Sequence, residues 1–184
     1  MKLRFDEPKA TEVAALILSL RGGTMHYLKL IKLLYLVDRE ALARWGSIVT
    51  TDNHVSMEYG PVGSTVLNLV TKPDVSKNYW KKYISEPFGD DEVKLLEAVP
   101  LDRMSRAEEK LVREIYEKFG YQNRWDIVAY THKLPEWKDP KGTSTPIHPR
   151  QILRAIGEDE EEIKATIKEM RIVDAAEESV PSVR

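Results

Sequence analysis

The chain has 184 residues, of which 32% are charged and 42% hydrophobic, with a formal net charge of -2 at pH 7 and no cysteine. That length suits one domain with room for an appended element, and it allows roughly two-thirds of the unfolded chain's surface to be buried. The charge gives no global attraction to nucleic acid or anionic lipid, so such a role would need a local patch. The lack of cysteine excludes disulfides, a thiolate nucleophile and cysteine-ligated zinc or iron–sulfur sites.

The opening Met-Lys-Leu-Arg-Phe-Asp-Glu-Pro has charges where a secretory signal would place its apolar core. No uncharged run approaches the about 18 residues of a membrane span, so a cytoplasmic protein without a membrane partner is expected. Asp6 can cap a first helix that carries Pro8 in its first turn. Val13, Ala14, Ile17, Leu18 and Leu20 then recur at helical spacing until Gly22 and Gly23 stop it. Residues 26–45 read as a second helix, apolar around most of its circumference, with Leu33, Leu34, Tyr35 and Val37 in its core. Such a helix must be surrounded by others. Its polar residues Lys29, Lys32, Arg39 and Glu40 are expected in a narrow strip facing solvent, and Gly46 ends it.

Ile48–Thr50 and His54–Tyr59 read as a hairpin around Thr51-Asp52-Asn53. Gly60 then turns the chain, and Pro61, with no N–H and a φ already suited to a helix, is expected to open a third helix containing Val62, Val66, Leu67 and Val70. Trp80–Ser85 and Glu92–Leu96 suggest a second hairpin around Pro87-Phe88-Gly89-Asp90, although Glu92–Ala98 fits a turn or two of helix equally well. Ser105-Arg106-Ala107-Glu108 forms a capping box for a helix with Leu111, Ile115 and Phe119 on one face and Gly120 as its stop. Asn123 caps a short helix with Trp125, Ile127, Val128 and Tyr130, terminated by Pro135.

Four of the fifteen residues 135–149 are proline, so this stretch reads as an extended loop unable to enter a sheet interior. Pro149 can open a short helix through Ile152, Leu153 and Ile156, closed by Gly157. Glu158-Asp159-Glu160-Glu161-Glu162 then loads acid onto a helix N-terminus, with Ile163, Ile167 and Met170 as its apolar stripe. The expected fold is mostly α (α+β), a compact helical domain around the central helix 26–45 with one or two short β-hairpins. Residues 1–157 form the domain, and residues 158–184 form an acidic helix followed by about ten disordered residues.

The run Leu30-Ile31-Lys32-Leu33-Leu34-Tyr35-Leu36-Val37-Asp38, then Trp45-Gly46, then Tyr59-Gly60-Pro61-Val62, resembles the Panacea domain of SocA-like antitoxins. Tyr130-Thr131-His132 and Pro135-Glu136-Trp137 look like the later elements of that family, so the resemblance covers roughly residues 10–140. It implies a bacterial or phage toxin–antitoxin role, in which a cognate protein toxin is neutralised by direct contact. In the SocA branch the toxin is also delivered to the ClpXP protease.

The residues themselves offer little chemistry. His26, His54, His132 and His148 are far apart and in no metal-ligand spacing. Gly22-Gly23 lacks the preceding strand of a phosphate loop, and Gly63-Ser64-Thr65 lacks the context of a nucleophile elbow. Asp38-Arg39-Glu40 reads as a solvated helix edge. No enzyme activity, metal or cofactor is expected. Lys29, Lys32 and Arg39 are candidates to steer an acidic partner, and Trp45 and Trp137 are candidate anchors, the remaining aromatics being expected in the core. A DNA-binding autoregulator is the alternative, opposed by the acidic balance and the lack of a basic run; Gly60 and Pro61 are read as structural.

Overall fold

A computed structural model describes residues 3–72 and 79–179. In chain order these form α1 (Glu7–Leu20), β1 (Thr24–His26), α2 (Tyr27–Trp45), β2 (His54–Met57), β3 (Gly60–Gly63), α3 (Ser64–Thr71), α4 (Tyr79–Tyr83) and β4 (Glu92–Lys94). They continue with α5 (Arg106–Phe119), α6 (Arg124–Thr131), β5 (Thr145–Ile147), α7 (Pro149–Ile156) and α8 (Glu160–Ser179). The fold is mostly α with two small antiparallel sheets. No helix is long and apolar enough to cross a membrane among the described residues.

The helices begin and end where their capping residues stand. Asp6 accepts from Lys9 N at the start of α1, the Ser105–Glu108 box opens α5, and Asn123 accepts from Trp125 N and Asp126 N at α6. Gly46 and Gly157 close α2 and α7 in the left-handed conformation. Helix α2 lies at the centre, packed by α1, α3, α5, α6, α7, β1 and β3. Leu30, Leu33, Leu34, Tyr35, Val37 and Leu42 are buried in a core that also takes Val13 and Ile17 from α1, Leu111 and Ile115 from α5, and Ile127 from α6. Ile163, Ile167 and Met170 bring α8 onto the same core. That helix continues to Ser179, so residues 175–179 are helical where a disordered tail was expected; the last five residues lie outside the described ones.

The strands correct several expectations. The first hairpin is β2 with β3, its turn at Glu58-Tyr59, and Ile48–Thr50 is not a strand. Gly60 does turn the chain, but Pro61 lies in β3, and the helix opens three residues later after Gly63. Ser64 N donates to Asn53 O, which fixes the alternation of the ladder so that Asn53, Val55 and Met57 are the hydrogen-bonded positions toward β3. Pro61, opposite Ser56, therefore needs no N–H for the ladder. By the same alternation Pro146, opposite Val55 in β5, occupies a non-bonded position on the other edge of the three-stranded sheet β3-β2-β5. A proline-rich loop thus supplies an edge strand.

The second expected hairpin is also rearranged. Tyr79–Tyr83 is helical, and β4 pairs with β1, Met25 opposite Val93. Isolated bridges Ile84–Leu95 and Phe88–Glu92 are what remain of the local pairing. The start of α3 is capped from outside by Asp52, whose carboxylate accepts from Thr65 N at 3.0 Å and Val66 N at 2.8 Å. It reaches them because Gly63 has no side chain: a Cβ there would collide with the carboxylate.

Gly60, at φ +98°, is the other glycine that matters, because a Cβ on it would stand 2.6 Å from Thr131 Oγ1 and 3.0 Å from Lys32 Nζ. Gly60→Val is expected to lower stability by about 3 kcal/mol or more through backbone strain and overpacking. Denaturant unfolding monitored by tryptophan fluorescence measures this, and an unchanged midpoint refutes it.

Candidate functional site

The polar residues of α2 do not form a solvated strip. Lys29 is buried, and its ammonium donates to Gly120 O and Gln122 O, each at 2.6 Å. Lys32 is 0% exposed and donates to Pro61 O at 2.8 Å. Arg39 pairs through Nε with Glu136 Oε1 at 2.6 Å, and the same buried carboxylate accepts from Tyr35 Oη at 2.8 Å. Asp38, read from the sequence as part of a solvated edge, is buried and accepts from Thr50 N and from His54 Nε2 at 3.0 Å. These corrections share one cause: packing surrounds α2 so fully that each of these polar groups needs an internal partner. Glu40 is half-buried, with Arg44 as its partner.

The Lys32 bond lies beside the β2–β3 turn. Trp137 donates from Nε1 to Met57 O at 3.0 Å, and its ring stacks on His132 with centroids 4.1 Å apart. His132, Thr131 and Lys32 are also the side chains that close on Gly60. Trp137 is accordingly half-buried and engaged with the hairpin, whereas Trp45 is 43% exposed at the end of α2.

Burial shapes the acid–base behaviour here. It pushes the Lys32 ammonium down from 10.5 to about 7. Burial also lowers His132, with the nearby Lys32 charge adding to the effect, and its Nε2 is buried without a partner among the described residues. Tyr35 is held well above 10, first by burial and then by the Glu136 carboxylate. Asp52 is raised by burial, an effect that its bonds to the α3 N-terminus offset.

Above this network lies a surface the sequence reading missed. Tyr59, at the tip of the turn, is 48% exposed and meets Trp125, 52% exposed, edge-to-face at 5.7 Å between centroids. The Arg124 guanidinium lies 5.5 Å over the Trp125 ring and pairs with Asp90. Tyr130 and Tyr121 are exposed nearby in the chain. The size of Tyr59 and Trp125 predicts a core position for both. Tyr59 is outside because the turn is at 58–59, not at 51–53. Trp125 is outside because the buried residues of α6 are Ile127, Val128 and Thr131, and at 100° per residue it lies away from that face.

Beside this pair opens a cleft of about 710 Å³ between β1, the first turn of α2 and the α5–α6 turn. Arg21, Lys29, Arg124 and Trp125 line it, with Glu92 and Asp126 as its acids. No group of three or more histidine or acidic side chains suited to a metal ion occurs among the described residues.

The architecture defines a helical domain whose buried ionisable groups are largely taken up by internal bonds, with aromatic rings standing outside. Residues 30–138 match the model of the antitoxin SocA-like family, Panacea domain, and the chain belongs to that family. Comparison with curated proteins and with solved structures finds no match. Three of the stretches that carry the family resemblance meet in space, Lys32 to Asp38, Tyr59 to Val62, and Thr131 to Trp137, while Trp45-Gly46 lies against α8.

The Lys32 arrangement has a measurable consequence. Its folded pKa of about 7 lies below the ordinary 10.5, so between those values the unfolded chain binds more protons and stability rises with pH; below about 7 this group contributes no slope. The rise is expected to reach up to about 1.4 kcal/mol per pH unit. Lys32→Met should remove it, as urea unfolding of both proteins between pH 6.5 and 9.5 would show. Equal slopes would refute the assignment.

Proposed function

We propose that the protein is an antitoxin that neutralises a cognate protein toxin by direct contact, and that the exposed face around Tyr59 and Trp125 makes that contact. Family membership supports the toxin partner. The observation that carries the choice of surface is that Tyr59 and Trp125 stand exposed in edge-to-face contact, and that Tyr59 adjoins Gly60, on which the family's motif residues Lys32, Thr131 and His132 close. Large rigid rings on a preorganised base are suited to act as anchors in a partner's pocket.

Trp45 is also exposed, but its apolar neighbours there include Val173 of α8, outside the residues that match the family. The Tyr59–Trp125 face lies wholly within them. Lys29, Lys32 and Arg39, bonded internally, act on the partner through the shape they give this face, and Trp137 does so by fixing the hairpin. In this reading the action is cytoplasmic and turns over no substrate, and delivery of the bound toxin to a ClpXP-type protease is its extension.

The experiment is growth rescue by co-expression with the toxic product of the adjacent gene, with binding by the purified proteins measured in parallel. Trp125→Ala or Tyr59→Ala should weaken binding by about 2 kcal/mol or more while the thermal midpoint stays within a few degrees, and Trp45→Ala should have little effect. Full rescue by the Tyr59/Trp125 double variant would overturn the choice of surface. Neutralisation by substoichiometric antitoxin, with the toxin chemically altered afterwards, would overturn the contact mechanism.

A further inference from the structure

We infer that the cleft beside β1 receives a short extended segment of the toxin as an added β-strand, with acidic side chains facing Arg21 and Lys29. This rests on the reading of a protein toxin as the partner. The β1–β4 ladder has two outer edges, and one of them is covered by other described residues. Leu95 N donates to Gly23 O at 2.8 Å and Tyr27 N to Asp91 O at 2.9 Å, so in this register Gly23, Met25 and Tyr27 are the positions that bond toward β4. The intervening N–H groups of Thr24 and His26, and the Thr24 carbonyl, face away from β4.

The far edge of β4 is occupied by the chain that precedes it. Ser85 N donates to Lys94 O at 3.0 Å, Lys94 N to Ser85 Oγ at 3.0 Å, and Phe88 and Glu92 exchange backbone bonds at 2.9 Å. The outward edge of β1 has no such cover among the described residues and borders the open cleft. An edge with unpaired backbone groups beside a groove is the geometry that peptide strands use to join a sheet.

Three cations, Arg21, Lys29 and Arg124, line the cleft against two acids, Glu92 and Asp126, and this excess favours an acidic occupant. Arg21 is exposed and has no ion-pair partner among the described residues, and the Lys29 ammonium lies at the cleft with only carbonyl oxygens as acceptors. Burial and the charge of Arg21 lower the pKa of Lys29, so an arriving carboxylate gains from both cations. A second copy of this chain paired β1 to β1 would instead bring these cations against their own kind. Side chains on the outer side of the added strand would pack against Trp125 and Tyr121.

The probe is a capped heptapeptide of alternating valine and glutamate, with a valine–lysine counterpart as control, titrated into the full chain. The glutamate peptide is expected to bind and the lysine peptide not to, with hydrogen exchange slowed at the Thr24 and His26 amides. Thr24→Pro removes the outward donor while taking no backbone donor from the β4 ladder, and should weaken binding by about tenfold or more; Arg21→Glu should weaken it similarly and keep the fold. The inference is overturned if the peptides bind equally or not at all, or if the two amides are unprotected in the bound unmodified chain. Protection that grows with protein concentration alone would overturn it in favour of self-pairing. Growth rescue separates the two readings: if Thr24→Pro and Arg21→Glu rescue fully while Trp125→Ala does not, strand addition fails and the contact reading stands. If none of these variants impairs rescue, the surface assigned to the contact fails as well.

Discussion

The rest of the structure depends on the enclosure of α2 from Leu28 to Asp38. A helix apolar on nearly every side gains from burial in any rotational setting, so hydrophobic packing alone does not fix which side chain meets which neighbour. The polar side chains do. Among the described residues, Lys29 finds its acceptors in the α5–α6 turn and Lys32 at Pro61, Tyr35 and Arg39 share Glu136, and Asp38 takes the chain just beyond the helix through Thr50 and His54. Each wrong rotation would leave a buried donor or charge unpaired, and that costs more than the bond itself contributes. The network therefore specifies one arrangement more than it stabilises it, and the low pKa of Lys32 is the cost of its enclosure.

The site inherits its geometry from this constraint. Pro61 can offer its carbonyl to Lys32 because it occupies a position of β3 where neither its missing N–H nor its C=O is needed by β2. The positive φ of Gly60 brings Thr131, His132 and Lys32 against the turn, and Trp137 ties the turn to the segment after α6 through Met57 O. With the inner side of the hairpin so held, Tyr59 at its tip has only the outer side left, where Trp125 meets it.

The helices were legible in the sequence because their signals are local. Asp6, Ser105, Asn123, Gly46 and Gly157 act within a few residues of the ends they define. The strands were not, because pairing is decided between distant segments: β4 binds β1, and β5 joins β2 from about 90 residues away. Pro61 and Pro146 were read by propensity as a helix start and a loop, and a ladder has positions where the proline defect does not matter. For the site, the relevant residue types were visible but their orientation was inverted. Lysine and arginine on α2 read as solvated by default, and Tyr59 and Trp125 read as core by default. The full apolar circumference of α2 already implied that its lysines had no route to water, which was the signal available for the first error.

A consequence follows for how partner choice is encoded. The residues that carry the family resemblance are mostly internal: Lys32, Tyr35, Asp38, Gly60, Thr131 and Glu136 are buried. Such a signature specifies a platform and leaves its exterior open to variation, since surface substitutions away from caps and networks change stability little. Under the proposed function, recognition falls to side chains that the platform displays without depending on them, here Trp125, Tyr121, Arg124 and Arg21. Their rings and charges gain little for folding while exposed, but the ordering of the backbone beneath them has already been met by the enclosed helix. A partner that docks here avoids that cost, and the strength of its attachment turns on the fit of a few rings and cations.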